Sequence, residues 1–413
     1  MGLDPYPVSP ADVADFVRAA AHAFGSVADD EDIAWRTADF FEPGLALAVT
    51  DGGRMVATAA AHLFELTLPA AAGRPCPVVT IPGVTAVGVL PTHRRRGLLT
   101  KLMAAQLSDF RSRGFPLAVL LASEAVIYRR FGYGPAQSFQ SVAIETHRAA
   151  FLDPAPAPGS MVVVDREEAG KVLPGLHDRA RRLRPAELSR SRQWWDSHLA
   201  DREKTREGGS GRFYAVHETP SGEADGWVSY RVHMGWNAGL PDGWAEVQDL
   251  VAASDAGVGA LWRYVLDLDL VAEVRAPQRP LDDPLRWLLA DFRRLHTTQL
   301  VDHLWVRIVD VVGALAARGY GAEERLVLEV TGADPGRVVL ETAGSSGSCR
   351  RANRGEKADL VLGLAELGAI YLGGVRPSAL AAAGRIREVR AGALTVADQV
   401  FVSPVAPFCS LDF

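Results

Sequence analysis

Residues 84–122 carry a strand–turn–helix–strand pattern, and no other part of the sequence limits the possible folds as tightly. Residues 84–90 (VTAVGVL) are apolar and rich in β-branched side chains, which predicts a buried strand. A proline ends this run, residues 97–113 then repeat apolar side chains at helical spacing, and residues 116–122 (PLAVLLA) predict another buried strand. This order is that of a βαβ unit, so we predict an α/β fold for the first third of the chain.

The turn inside this pattern has the composition of a phosphate-binding site. Arg94 and Gly97 form an R-x-x-G pattern between the strand and the helix. Glycine lets the backbone approach a ligand closely, and a helix N-terminus offers unpaired N–H groups with a partial positive charge. Arg95 and Arg96 can add charge-assisted bonds to a pyrophosphate. Three arginines alone would indicate a solvated turn, but the strand before them and the helix after them favour phosphate binding.

We divide the chain into three regions, 1–150, 151–290 and 291–413, with a Pro- and Ala-rich linker at 151–160. The middle region repeats the order hairpin, strand and helix, which suggests a fainter copy of the first. The last region begins with predicted strands at residues 304–308, 326–330 and 337–340. It ends at residues 408–413 (FCSLDF), which are too apolar for a typical frayed tail.

Composition excludes several classes of function. The chain of 413 residues has a net charge of −6, which disfavours a nucleic-acid partner and suits a cationic substrate. The three cysteines, Cys76, Cys349 and Cys409, lie far apart, which argues against a disulfide scaffold or a metal site. No apolar stretch approaches the ~20 residues of a membrane span, and the N-terminus lacks a signal-peptide pattern. We therefore predict a cytoplasmic protein that needs neither metal nor membrane.

The order Val87-Gly88-Val89-Leu90-Pro91 leading into Arg94-Arg95-Arg96-Gly97 resembles the acetyl-coenzyme A signature of the Gcn5-related N-acetyltransferase (GNAT) family. Leu99 departs from the Gly or Ala that the family often has there. The segment Ser123-Glu124, the run 127–135 (IYRRFGYGP) and the aromatic C-terminus are similar to the enhanced-intracellular-survival (Eis) type of this family.

The resemblance implies an α/β (α+β) protein with tandem acetyltransferase folds built on mixed sheets, followed by a domain similar to sterol carrier proteins. In the middle region Ser254-Asp255-Ala256-Gly257 stands where R-x-x-G would be, so that domain is expected to bind no coenzyme. The resemblance also implies a homo-oligomer, a hexamer, and a C-terminus that reaches the active site.

By the same resemblance, direct transfer uses Tyr128 as general acid and the α-carboxylate of Phe413 as general base. A phenol is protonated at neutral pH, whereas a terminal carboxylate is a weak base that burial would strengthen. Tyr128 could instead be a core tyrosine, Tyr133 is a neighbour that could be confused with it, and the tail could simply pack. The coenzyme would be held by Val87, Gly88, Val89, Arg95, Arg96, Gly97, Leu98, Leu99, Thr100, Ser123 and Glu124.

Two further residues are predicted to face the acceptor: Trp35, whose ring could cover an amine or a sugar, and Asp412. The acidic run 29–32, read as a loop, could line the pocket or face solvent. We predict acetyl transfer from acetyl-coenzyme A to primary amines of a small cationic acceptor, an aminoglycoside with several modifiable amines. Acetylation of protein lysines or polyamines remains open. So does a different class, a lipid carrier with an inert first domain.

Overall fold

The structure is a computed structural model that describes residues 3–39, 44–155, 157–332, 335–343 and 346–413, with the side chains of residues 35–39 left out of the description. These residues form two compact units. The first unit contains Met1–Gln137, His303–Pro404 and Leu411–Phe413. The second contains Ser138–Asp302 and Val405–Ser410.

The described part of the chain contains 21 strands. In chain order they are β1 (Tyr6–Pro7), β2 (Leu47–Asp51), β3 (Arg54–Thr67), β4 (Val78–Val89), β5 (Leu117–Leu121), β6 (Tyr133–Pro135), β7 (Ser138–Glu145), β8 (Ser160–Val164), β9 (Phe213–Glu218), β10 (Ala224–His233), β11 (Trp236–Asn237), β12 (Leu240–Pro241), β13 (Gly243–Ala252), β14 (Val271–Arg279), β15 (His296–Asp302), β16 (Leu304–Ile308), β17 (Arg325–Thr331), β18 (Gly336–Ala343), β19 (Ser346–Arg351), β20 (Leu360–Gly363) and β21 (Ile386–Glu388).

The same residues form 12 α-helices, besides short 3₁₀ turns. They are α1 (Val13–Ala23), α2 (Asp30–Asp39), α3 (Leu98–Ser112), α4 (Ala125–Tyr128), α5 (Arg166–Arg181), α6 (Arg192–Ala200), α7 (Asp255–Leu266), α8 (Leu285–Leu288), α9 (Val311–Ala317), α10 (Leu364–Tyr371), α11 (Pro377–Ala382) and α12 (Ala393–Phe401). None of the helices described here combines the length and the hydrophobicity that a bilayer span needs.

A seven-stranded mixed sheet organises the first unit, in the order β1-β2-β3-β4-β5-β16-β6. The predicted βαβ unit is confirmed, because β4 and β5 run parallel and α3 connects them. Helix α3 buries Leu98, Leu102, Met103 and Phe110 along one face, and Gly114 follows it with a φ of 78°. This is the amphipathic helix with a glycine stop that the sequence pattern predicts.

The second unit contains a seven-stranded sheet of the same kind, in the order β15-β7-β14-β13-β10-β9-β8. Its parallel pair, β13 and β14, is joined by α7, just as β4 and β5 are joined by α3. The suspected repeat of hairpin, strand and helix is therefore a repeat of the whole sheet topology. The bounds at 150 and 290 stay predictions, and the sheets do not follow them, because β7 and β15 both pair within the second unit.

A five-stranded sheet, in the order β19-β18-β17-β20-β21, completes the first unit. Helix α10 packs closely on β6 and β16 of the large sheet. A Cβ atom on Gly134 would lie 1.8 Å from the carbonyl oxygen of Ala365, and one on Gly368 would lie 2.2 Å from that of Val306. The second glycine of the motif F-G-Y-G is therefore required by this close approach of backbones.

Candidate active site

A β-bulge interrupts the pairing of β4 with β3 and bends the end of β4. The register with β3 shifts between Thr58 and Ala60, opposite residues 85–88 of β4. Ala86 adopts a φ of 50°, and the buried Thr58 hydroxyl donates a hydrogen bond of 2.8 Å to its carbonyl oxygen. A positive φ is unfavourable for alanine, so the surrounding strand and the threonine hold this conformation in place.

A cleft of about 960 Å³ opens where β4 and β5 separate. The two strands pair at Gly83–Val119 and Val84–Leu120, and beyond this point the end of β4 lines the cleft together with Ser123 and Glu124, which follow β5. Backbone groups at the end of β4 that face a cleft instead of a neighbouring strand can bond a ligand. The predicted coenzyme residues that line it are Val87, Gly88, Val89, Arg95, Gly97, Leu98, Leu99, Thr100, Ser123 and Glu124.

The turn between β4 and α3 exposes the helix N-terminus to this cleft. Arg95 and Gly97 have φ values of 64° and 80°. Gly97 is the N-cap of α3, and no described side chain caps the helix there. The first N–H groups of α3 are therefore left for a ligand, and the helix dipole favours an anion at this point.

The three arginines of the turn differ in what they contact. Arg95 is exposed and lines the cleft. Arg96 does not line it, since its guanidinium donates to the carbonyl oxygen of Thr92 at 3.1 Å. Arg94 also borders the cleft, with longer contacts of 3.4 Å and 3.5 Å to the carbonyl oxygens of Val89 and Ala23. The predicted role of Arg96 in holding the coenzyme thus has no geometric support in this conformation, whereas Arg95 is well placed for it.

Tyr128 ends the short helix α4, is buried, and lines the cleft. Burial raises the pKa of its phenol, the negative charge of Glu124 raises it further, and a hydrogen bond with Ser123 opposes both. Tyr133 packs edge-on against it at 6.2 Å between ring centroids but lies in β6, outside the cleft lining. The Tyr133 hydroxyl is buried without a hydrogen-bond partner among the described residues. The geometry therefore separates the two tyrosines.

The C-terminal residue lies on strands β3 and β4. The rings of Phe413 and Phe64 are 5.0 Å apart, and a Cβ atom on Gly83 would lie 2.9 Å from the Phe413 ring. Gly83 therefore makes room for both rings. Asp412 is exposed, with its carboxylate 3.7 Å from the imidazole of His303, so it stands at the surface beside the tail.

The remaining residues predicted near the acceptor lie in helix α2 or immediately before it. Trp35 belongs to α2, and its side chain lies outside the described residues. The acidic run is not a loop as predicted: Asp30, Glu31 and Asp32 form the first turn of α2. The Asp29 carboxylate accepts a hydrogen bond of 2.7 Å from the N–H of Asp32, and acidic residues are favoured at helix N-termini.

Two features near the cleft and the tail are not predicted by any motif in the sequence. The end of α1 forms part of the cleft wall, and a Cβ atom on Gly88 would lie 2.6 Å from that of Ala23. The glycine within the β4 pattern is the only signal of this approach. His62 is the register partner of Gly83, and burial lowers the pKa of its imidazole. The imidazole thus lies on the same sheet face as the Phe413 ring, an arrangement that no local sequence pattern indicates.

In the second unit, the helix that corresponds to α3 is α7, and a serine side chain caps its N-terminus. Ser254 is the N-cap of α7, and its hydroxyl accepts a hydrogen bond of 3.0 Å from the N–H of Gly257 and donates one to Asp225. One N–H group at the start of α7 is thus paired with a side chain, whereas no described side chain caps α3. That the second domain binds no coenzyme stays a prediction.

Comparison with protein families divides the chain in the same order. Residues 5–136 match an acetyltransferase (GNAT) domain family, residues 186–308 match a second acetyltransferase (GNAT) domain family, and residues 311–410 match a sterol carrier protein domain family. These matches confirm the predicted fold class of two acetyltransferase folds followed by a sterol-carrier-like domain.

Whole-length relatives and solved structures agree with this division. An uncharacterized N-acetyltransferase of Streptomyces avermitilis is 37% identical, with 98% of each chain covered. The N-acetyltransferase Eis of Mycobacterium tuberculosis is 33% identical, with 96% of each chain covered. The crystal structure of Eis1 from Mycobacterium abscessus superposes with a TM-score of 0.86 at 32% identity, covering 99% of this chain and all of the other.

Proposed function

The chain belongs to the Eis family of GNAT N-acetyltransferases, and on this premise we propose that it acetylates primary amines of a small cationic acceptor, with aminoglycosides as the substrate class. Membership makes it an acyltransferase that uses acetyl-coenzyme A. The proposal concerns the acceptor, the residues that carry the reaction, and the regiospecificity, which we infer to be broad.

One observation supports the proposed site: strand β4 borders the cleft at its end and also packs against the C-terminal residue. Its end, Val87–Val89, lines the cleft together with Tyr128, and Phe413 packs on the same strand at Gly83. Four residues of extended chain span about 13 Å, and the bulge at Ala86 shortens this path. We therefore infer that the acceptor amine lies between the cleft and the Phe413 carboxylate, and that the carboxylate reaches it through one or more waters.

The proposed reaction needs three proton and charge movements. The Phe413 carboxylate attracts the ammonium group of the acceptor and takes its proton through water. A backbone N–H at the end of β4 polarises the acetyl carbonyl while the free amine attacks its carbon. Tyr128 then donates its proton to the departing thiolate of the coenzyme and regains one from the acylated nitrogen. The sum is one amide, one free thiol and one proton released to solvent.

Charge supports a cationic acceptor. The chain carries a net charge of −6, and its terminal carboxylate and Asp412 stand together at the end of the tail. Aminoglycosides offer several ammonium groups that such a site could accept in turn. Lysine side chains and polyamines share this chemistry, and the experiment below compares all three.

The lipid-carrier alternative has weaker support. Within the described part of the sterol-carrier-like region, large side chains fill the centre: Arg318, Tyr320, Tyr371 and Phe401 are all buried. The Arg318 guanidinium bonds the carbonyl oxygens of Gly319, Tyr371 and Phe401 and stacks on the surrounding rings. A packed, polar centre of this kind does not suit an apolar tail.

We also propose that the protein works in the cytoplasm as a homo-oligomer, a hexamer by analogy with the family. Strand β15 is exposed along its whole length at the edge of its sheet, and apolar side chains such as Leu300, Trp287 and Phe292 are exposed on the same unit. Exposed edges and apolar patches are typical of surfaces that another chain covers. Sedimentation velocity would give the mass directly, and a monomer would contradict this proposal.

The experiment measures coenzyme A release from acetyl-coenzyme A with kanamycin, spermidine and a lysine peptide. The native chain is compared with one that carries three extra residues after Phe413. Moving the carboxylate away should lower kcat by about 10²-fold or more if this group is the base. Because the coenzyme cleft is untouched, KM for acetyl-coenzyme A should stay unchanged.

The choice of acceptor and the C-terminal extension test different parts of the proposal. The acceptor with the highest kcat/KM identifies the substrate class, and a preference for spermidine or the peptide over kanamycin would contradict the aminoglycoside proposal. Equal turnover by the native and extended chains would mean that the base lies elsewhere. Mass spectrometry of the kanamycin product counts the acetyl groups, and a single acetylated position would contradict broad regiospecificity.

A further inference from the structure

The tail segment Val405–Ser410 belongs to the second unit and lies at its cleft. This cleft, of about 400 Å³, is built from the end of β13 and the start of α7, with Val405 and Phe408 of the tail in its lining. In the first unit the matching position, at the end of β4 and the start of α3, is the proposed coenzyme cleft. The second domain therefore has tail residues at the place where the first has its coenzyme site.

The second unit binds the backbone of this segment through several polar contacts. The N–H of Ala406 donates to the Asp282 carboxylate at 2.9 Å, and Arg184 donates to the Ala406 carbonyl oxygen at 2.7 Å. Further along, the N–H of Phe408 donates to the carbonyl oxygen of Pro185 at 2.9 Å, and the Phe408 side chain is buried. Backbone groups that are paired in this way restrict the segment to one conformation.

A buried charged cluster holds the last residue of the segment. The Glu187 carboxylate accepts from the N–H of Ser410 at 3.2 Å and 3.3 Å, and from its hydroxyl at 3.0 Å. Arg190 donates to the same hydroxyl at 2.8 Å and to the Asp249 carboxylate at 2.8 Å. The side chain of Arg190 is fully buried, and those of Glu187 and Asp249 are almost so.

Such a cluster is a poor means of adding stability, because each buried ion loses its hydration. Buried polar groups are better suited to fixing one arrangement of the chain over others. Here the arrangement that is fixed is the position of Ser410, three residues before the C-terminus. Three extended residues reach about 10 Å, so an anchor at Ser410 limits the volume open to the terminal carboxylate.

We propose that the second acetyltransferase-like domain serves as a clamp for the tail, and that Ser410, Glu187 and Arg190 are positioning residues for the Phe413 carboxylate. The inference rests on the proposed function, in which that carboxylate is the base. It assigns the second domain a task in catalysis that needs no coenzyme. A tail that is held at Ser410 leaves the Phe413 carboxylate a smaller volume to sample than a loose tail does, which raises its effective concentration.

The test compares Ser410→Ala with the native chain by two independent measurements. The first is release of Phe413 by carboxypeptidase, followed by mass spectrometry, which reports on tail order without using activity. The second is steady-state kinetics with kanamycin. We expect release about tenfold faster and kcat about tenfold lower, with KM for acetyl-coenzyme A unchanged. Ser410→Thr keeps the hydroxyl and should restore both values towards native.

Ser378→Ala is the matched control. Ser378 also bonds a carboxylate, that of Asp398, but it lies outside the tail and the coenzyme cleft, so neither measurement should change. Native release rates in Ser410→Ala would overturn the clamp. Faster release with native kcat would overturn the positioning role. If the chain extended beyond Phe413 is fully active, the base assignment itself fails, and the release rates still decide whether the clamp exists.

Discussion

At the scale of single residues, Tyr128 and Tyr133 are both buried, but one lies beside the cleft and the other inside the core. Both phenols have a raised pKa because burial disfavours the phenolate. Only Tyr128 lines the cleft, beside Ser123 and Glu124. A raised pKa keeps this phenol protonated above the ordinary value of about 10, which suits a group that must donate a proton at neutral pH.

Tyr128→Phe is expected to lower kcat by about 10²-fold or more, because the leaving thiolate loses its proton donor. KM for acetyl-coenzyme A should change little, since the phenol acts at the reacting atoms. In the native enzyme, the raised pKa means that kcat should show no falling limb from this acid between pH 7 and about pH 10. Steady-state rates across this pH range test both statements.

Tyr133→Phe is the matched control. It removes a buried hydroxyl that has no partner among the described residues, so stability and kcat should stay near native. If this variant loses activity while Tyr128→Phe keeps it, the assignment of the acid is wrong.

At the scale of elements, the turn between β4 and α3 gives three adjacent arginines different contacts, although they look alike in the sequence. With a φ of 64° at Arg95 and no side-chain cap at Gly97, Arg95 and the helix N-terminus line the cleft, and Arg94 borders it as well. The Arg96 guanidinium instead donates a hydrogen bond to the carbonyl oxygen of Thr92 in the same turn. A pattern of residue types can predict a phosphate-binding turn, whereas the backbone dihedral angles decide which side chain faces the ligand.

Arg95→Gln is expected to raise KM for acetyl-coenzyme A by about tenfold, because one charge-assisted contact to phosphate is lost. The kcat at saturating coenzyme should remain near native. Arg96→Gln provides the comparison, with an expected change of less than about twofold, since its guanidinium bonds Thr92. Titration calorimetry with coenzyme A would check both values, and equal losses in the two variants would contradict the distinction.

Local elements were more predictable than their pairing. The strand Leu304–Ile308 follows from its apolar, β-branched run, and its bounds agree with the prediction. Its place between β5 and β6, which precede it by more than 150 residues, has no local signal. The role of Tyr128 is a prediction from the resemblance of its motif, and the structure adds that this residue lines the cleft. The anchoring of Ser410 by Glu187 joins positions 223 residues apart, so no local pattern indicates it.

At the scale of the whole molecule, the sterol-carrier-like region is not an independent appendage of the first acetyltransferase fold. Both belong to one compact unit, and α10 approaches the strands β6 and β16 backbone to backbone. Gly134 and Gly368 permit this approach from the two sides. The motif that contains Tyr128 thus continues directly into the surface on which the last region packs, so this packing stabilises the part of the sheet that follows Tyr128 in the chain.

This packing makes Gly368→Ala a test of the unit as a whole. The added methyl group would lie 2.2 Å from the carbonyl oxygen of Val306, so α10 or β16 must shift. Overpacking of this kind typically costs about 1–3 kcal/mol of unfolding free energy. Gly259→Ala, in α7 with no atom within 4 Å of the new methyl group, should instead be neutral or stabilise by about 0.5–1 kcal/mol. Calorimetric melting should therefore separate the two variants. A native melting temperature in Gly368→Ala would mean that α10 can withdraw without loosening the sheet, and that the last region is a separate domain after all.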